Sequence, residues 1–187
     1  MKICKKNTPD ILIDVGTGSG IIPISILSEC RDTPRRVSTF AIDISPEALA
    51  VVKENSIQNK QDIIFLQSDL LEIFLENTLF EPNKNILITA NLPYIKADDW
   101  RNMSPDTKHE PELALFGGDV TGFELYERLF VQIPDFISKY TPKSLTILAE
   151  MGDDQKELAT QILERYGWSF EFFADLRGID RFIKIVF

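Results

Sequence analysis

Two short stretches carry residue types that can do chemistry. Asn91-Leu92-Pro93-Tyr94 closes an apolar run, Ile86-Leu87-Ile88-Thr89-Ala90, and Asp14-Val15-Gly16-Thr17-Gly18-Ser19-Gly20 closes an earlier one that begins at Ile11. An asparagine side chain offers a carbonyl acceptor and an amino donor. Pro93 biases residue 92 toward an extended conformation, so the Leu92 carbonyl can be aimed outward. Those two acceptors can hold both hydrogens of an NH2 group, while the Tyr94 ring stacks on a flat group and fixes its plane. The glycine turn offers backbone N–H groups and close approach to a ligand. Together they suggest a nucleotide-like molecule meeting a planar amino or amide group; an ordinary Asn-x-Pro turn is the plainer alternative.

The glycines are not a dinucleotide fingerprint, which would need glycine at 16, 18 and 21, because position 21 is Ile21. Gly16-x-Gly18-x-Gly20 with Asp14 ahead of it fits a nucleoside ligand instead. Asp43 ends the second strand-like run, where an acidic residue in nucleotide-binding α/β folds accepts hydrogen bonds from both ribose hydroxyls. It is also a helix-start carboxylate favoured by the dipole. Asp69 ends the third run and can receive an adenine amino group with Leu70 against the base, although Ser68-Asp69 is equally a helix N-cap.

Strand-like and helix-like segments alternate around these residues. Strands are expected at Ile11–Val15, Val37–Ile42, Ile63–Leu66, Ile86–Ala90 and Leu145–Ala149, with helices near 21–28, after Ser45-Pro46-Glu47, up to Phe74, near 122–139 and near 153–166. Ser169–Phe173 and Phe182–Phe187, parted by Asp175-Leu176-Arg177-Gly178, read as a closing hairpin. Residues 95–121, with Pro105, Pro111 and Gly117-Gly118, read as a long loop of the functional kind. This alternation predicts an α/β fold: a mainly parallel sheet with helices on both faces and ligands at one edge.

At 187 residues the chain suits one domain. Its net charge of −9 lacks the basic footprint of a nucleic-acid binder, so direct nucleic-acid binding is not expected. Cys4 and Cys30 have no CxxC spacing and are expected as reduced thiols. The single histidine, His109, argues against a histidine-based zinc site, and no metal is expected. No run approaches the roughly 18 apolar residues of a membrane span, and the start lacks a signal-peptide pattern. A cytoplasmic location is the expectation.

Taken together, these stretches resemble the class I S-adenosylmethionine-dependent methyltransferases. The Asn-x-Pro-Tyr motif narrows the resemblance to amino and amide methylators, and most closely to the HemK-type (PrmC-like) release factor glutamine methyltransferases. Asp14–Gly20, Ala41–Leu49, Asn91–Ile95, His109–Gly118 and Asp175–Arg181 carry it. The resemblance implies a Rossmann-like, seven-stranded, mainly parallel sheet with a C-terminal antiparallel hairpin. It implies transfer of a methyl group from S-adenosylmethionine to the glutamine amide of the Gly-Gly-Gln motif in peptide-chain release factors. Asp14, Gly16, Thr17, Gly18, Ser19, Gly20, Asp43, Asp69, Leu70 and Asn91 would hold the donor. Asn91, Leu92, Pro93 and Tyr94 would grip the glutamine, with Asn91, Pro93 and Tyr94 as the catalytic set, and His109–Gly118 would shape the substrate mouth.

Two departures stand out. The family usually has proline where Leu92 stands, and Asn-Leu-Pro-Tyr also occurs in rRNA adenine dimethyltransferases. Family members carry a helical substrate-recognition domain ahead of the glycine turn, whereas ten residues precede Ile11 here. The expectation is therefore a catalytic domain over 1–187 without that front domain. A glutamine of a ribosomal protein, adenine N6 in RNA, and a non-catalytic remnant that binds the donor remain alternatives.

Overall fold

The computed structural model describes residues 8–30, 36–96, 98–99 and 114–187. In chain order the elements are β1 (Ile11–Val15), α1 (Ile21–Glu29), β2 (Ser38–Asp43), α2 (Pro46–Gln58), β3 (Ile64–Gln67), α3 (Glu72–Glu76) and β4 (Asn85–Ala90). They continue with β5 (Ile95–Lys96), β6 (Phe116–Gly118), α4 (Glu124–Tyr140), β7 (Ser144–Glu150), α5 (Lys156–Tyr166), β8 (Ser169–Ala174) and β9 (Asp180–Val186). Among the described residues, seven strands form one sheet in the order β3-β2-β1-β4-β7-β9-β8. Pairs from β3 through β7 are parallel, and β9 runs antiparallel to both β7 and β8. The mainly parallel sheet with a closing hairpin expected from the sequence is therefore present.

All five positions of β1 are buried, as they must be in a strand covered on both faces. Because side chains alternate along a strand, Ile11, Ile13 and Val15 join Phe74, Leu129 and Ile162 in one cluster beneath α3, α4 and α5. Leu12 points the other way, to Ile26 of α1, and Ala41 of β2 meets Ile24 and Val52 of α1 and α2. Aromatic rings dominate the first cluster: Tyr126, Phe130, Phe136 and Tyr140 of α4 are all fully or almost fully buried.

Local signals place the helix starts. Ser45 caps α2 by accepting a hydrogen bond from the Ala48 N–H at 3.2 Å, with Pro46 at the first helical position. The Ser68 hydroxyl accepts from the Ile73 N–H at 3.1 Å, while the Asp69 side chain caps nothing and turns to Arg128. Helix α5 begins at Lys156 rather than near 153, because Gly152–Gln155 folds as a turn in which the Gly152 N–H donates to Gln155 Oε1 at 2.8 Å. In the hairpin turn, Asp175 Oδ1 accepts from the Arg177 and Ile179 N–H groups, which closes the sharp reversal.

Two expectations need correction. Residues 95–121 are not loop throughout: β5 and β6 pair in parallel as a second, two-stranded sheet. Gly117 leaves no room for a side chain beside the Pro93 carbonyl and Tyr94 Cα, just ahead of β5, and Gly118 none beside the Glu124 carboxylate. Cys30 is buried and disulfide-bonded rather than a reduced thiol; Cys4 lies outside the described residues. No helix among the described residues is long and apolar enough to cross a membrane.

Candidate active site

The chain runs from β1 outward through β2 to β3, then returns to lay β4 on the other side of β1. In an open α/β sheet this reversal opens a crevice beyond the carboxyl ends of the two central strands. Val15 pairs with Ala90, so the next residues of each strand, Gly16 and Asn91, leave the sheet side by side. A cavity of about 580 Å³ opens there. The turn contributes Gly16, Thr17, Gly18 and Ser19; the end of β2 contributes Asp43; the segment after β3 contributes Asp69 and Leu70; and the tip of β4 contributes Asn91, Leu92 and Pro93. Asp14, Gly20 and Tyr94 lie outside its lining.

The turn is shaped by close approach. Gly16 has φ 67°, and a Cβ there would stand 2.7 Å from Leu92 Cδ2. Gly20, at φ 76°, would place a Cβ 2.2 Å from Val52 Cγ2 of α2. Gly18 faces open space, and its N–H donates to Asp43 Oδ2 at 2.9 Å. Asp43 Oδ1 accepts from the Ser45 N–H at 3.0 Å. The carboxylate thereby ties the turn after β1 to the start of α2, and each oxygen retains a lone pair for a ligand.

Asp14 sits beneath the turn rather than in the cavity. It is 1% exposed, accepts from the Thr89 hydroxyl of β4 at 2.5 Å, and leaves Oδ2 without a partner. Burial pushes its carboxyl up to about 6, against the Thr89 hydrogen bond, which favours the charged form. Thr17 Oγ1 is a second buried polar atom here with no partner.

At the far end of the cavity Leu70 adopts φ 52°, an uncommon conformation for a branched apolar residue. The following Leu71 N–H donates to Gln132 Oε1 of α4 at 2.7 Å, which holds the bend. Arg128 of the same helix pairs with Asp69 and also lines the cavity. Neither α4 residue stood out in the sequence, which marked only a helix near 122–139.

Leu92 and Tyr94 are held by neighbouring elements, whereas Asn91 is exposed. The Leu92 N–H donates to the Tyr126 hydroxyl at 3.0 Å. A Cβ on Gly117 would stand 2.3 Å from the Pro93 carbonyl oxygen and 2.7 Å from Tyr94 Cα. The Tyr94 carbonyl accepts from Gln155 Nε2 at 3.0 Å, and the same nitrogen donates to the Thr121 carbonyl at 3.1 Å. Arg181 Nη2 donates to the Tyr94 hydroxyl at 2.6 Å and lies within 3.4 Å of Glu150. Burial raises the Tyr94 phenol above its ordinary value, opposed by the Arg181 charge. Tyr94 thus stands beside the cavity, its ring under a guanidinium centred 5.3 Å away. Of the stretch His109–Gly118, residues 109–113 lie outside the described residues.

Asn91 also lines a second cavity, on the α1 face of the sheet, with Ile21, Phe173 and Phe182 among its walls. A group bound in the first cavity and a group entering along this side would meet at the same amide.

Comparison with known proteins fits this geometry. The family model described as ribosomal protein L11 methyltransferase (PrmA) matches residues 2–108. A release factor glutamine methyltransferase of Bacillus anthracis is 33% identical over 171 residues, covering 91% of this chain and 56% of that protein. One from Aquifex aeolicus is 32% identical over 173 residues, again 91% of this chain and 56% of the relative. The chain therefore spans little more than half the length of these curated relatives. Among solved structures, ribosomal protein L11 methylase from Lactobacillus delbrueckii subsp. bulgaricus superposes with TM-score 0.57 at 22% identity, covering 97% of this chain and 70% of that one.

Proposed function

The chain belongs to the class I S-adenosylmethionine-dependent methyltransferases, as a relative of the release factor glutamine methyltransferases, and we propose that it methylates a glutamine side-chain amide. The acceptor is the glutamine of the Gly-Gly-Gln loop of a peptide-chain release factor, and the donor is S-adenosylmethionine. The observation that carries this reading is the adjacency of Gly16 and Asn91 at the switch point, with Asn91 forming part of the cavity wall.

The cavity fits the donor on its own features. Gly18 leaves open space where a side chain would stand, the Asp43 carboxylate is oriented for vicinal hydroxyls, and Leu70 is bent to present an apolar edge. Asp43 would hold the ribose, Asp69 and Leu70 the adenine, and the Gly16–Ser19 turn the amino-acid end. When bound, the donor supplies a methyl already activated as a sulfonium substituent.

The chain's own task is orientation. An amide nitrogen is a poor nucleophile because its lone pair is delocalised into the carbonyl. The Asn91 side-chain oxygen and the Leu92 carbonyl accept the two N–H hydrogens and leave the nitrogen facing the cavity. Fixing that geometry supplies up to about 7–11 kcal/mol in favourable cases. Acceptors aimed at both hydrogens also stabilise positive charge developing on nitrogen. Tyr94, locked by Arg181 and Gln155, flanks the amide plane. The new C–N bond replaces the methyl C–S bond, leaving S-adenosylhomocysteine as a neutral thioether, and the nitrogen then gives one proton to water, so the displacement itself needs no strong base.

A second reading keeps the chemistry and changes the protein acceptor: the matching family model is described by a ribosomal protein. Incubating the purified chain with methyl-labelled donor and either a release factor, ribosomal protein L11 or rRNA separates these. Label on the release factor, lost when its Gly-Gly-Gln glutamine is changed to glutamate, supports the first reading. Label on the ribosomal protein alone supports the second, and label on rRNA contradicts both.

A further inference from the structure

We infer that Tyr126 is a positioning residue whose phenol holds the tips of β4 and β7 apart and aims the Leu92 carbonyl at the acceptor. The inference rests on the amide-clamp reading of Asn91–Tyr94. The last paired residues of the two strands are Ala90 and Ala149. Beyond them, a continued parallel ladder would bring the Leu92 N–H to the Glu150 carbonyl. The Tyr126 hydroxyl stands between these two groups instead. It accepts from the Leu92 N–H at 3.0 Å and donates to the Glu150 carbonyl, with the Ala90 carbonyl 3.3 Å away.

One side-chain oxygen therefore replaces a backbone rung and splits the sheet where the site opens. The ring cannot drift: Tyr126 is completely buried and stacks on Phe123 at 5.0 Å between centroids. Burial also raises the phenol far above its ordinary value, so the hydroxyl stays protonated and keeps its donor. Downstream, Pro93 has no N–H to anchor, and the next hold on the backbone is Gln155 on the Tyr94 carbonyl. The Leu92 carbonyl lies between these two anchors. Loss of the upstream one frees the Leu92 peptide or lets β4 close directly on β7, and either turns that carbonyl.

Tyr126→Phe in the full chain tests this. Leu92 amide exchange by NMR, donor affinity by calorimetry and single-turnover methyl transfer to the release factor are compared with wild type. The expected result is Leu92 exchange faster by about tenfold or more and a turnover rate lower by about tenfold or more, with donor affinity within about twofold. Unchanged Leu92 exchange, an unchanged rate, or donor affinity falling in step with the rate would each overturn the inference. If wild type methylates no acceptor, the amide reading fails, and the exchange measurement still decides whether Tyr126 holds the peptide.

Discussion

Leu92 packs directly on Gly16: a Cβ added to the glycine would stand 2.7 Å from Leu92 Cδ2, so the tips of β1 and β4 are one contact surface. The proposed donor cradle and the proposed acceptor clamp are therefore mechanically joined. Gly16→Ala must both crowd Leu92 and hold alanine at φ 67°. It should cost about 1–3 kcal/mol of stability and weaken donor binding and methyl transfer together. Chemical denaturation and calorimetry check this.

Asp43 and Asp69 are expected to contribute unequally to donor affinity. Asp43 is held by two backbone N–H groups and still faces the cavity, whereas Asp69 already pairs with Arg128. Asp43→Asn should lower donor affinity by about tenfold or more, equivalent to about 1.4 kcal/mol. Asp69→Asn should cost clearly less. Isothermal titration of the two variants decides the order.

Tyr94 and Arg181 should behave as one unit. Removing either end of their hydrogen bond, by Tyr94→Phe or Arg181→Met, undoes the same restraint, so the losses in transfer rate should not add. A double-mutant cycle should show a coupling of about 0.5–3 kcal/mol. Additive losses would mean that Arg181 serves only the packing around Glu150.

The sequence carried much of this fold in local signals. Apolar runs marked the central strands, glycine and proline marked the turn after β1 and the start of α2, and Asp175–Gly178 marked the closing hairpin. Asp43 and Asn91 were legible because both end such runs. Tyr126, Arg128, Gln132 and Gln155 were not, and Arg181 was legible only as the end of a family stretch, since each acts across more than 20 residues of chain on a backbone or side-chain group that only the fold brings near. Tyr126 in particular reads as one more apolar position of an amphipathic helix. Gly117 looked like loop punctuation, yet its lack of a side chain lets β6 lie against Pro93 and Tyr94.

Asp14 gives the protein a pH signature. Burial raises its folded-state value from 3.8 to about 6, so the folded chain holds this proton more tightly than the unfolded one. The stabilisation is complete below pH 3.8 and is lost as pH rises through about 6. Asp14→Asn should flatten the stability profile across that window, as measured by urea midpoints at a series of pH values.

The most direct test is Asn91→Ala, assayed in parallel for donor binding and for transfer of labelled methyl to the release factor glutamine. Donor affinity should remain within a few-fold of wild type while transfer falls by at least about a hundredfold, since the amide is no longer oriented. Transfer at the wild-type rate would contradict the proposal that the β4 tip presents the acceptor nitrogen to the cavity.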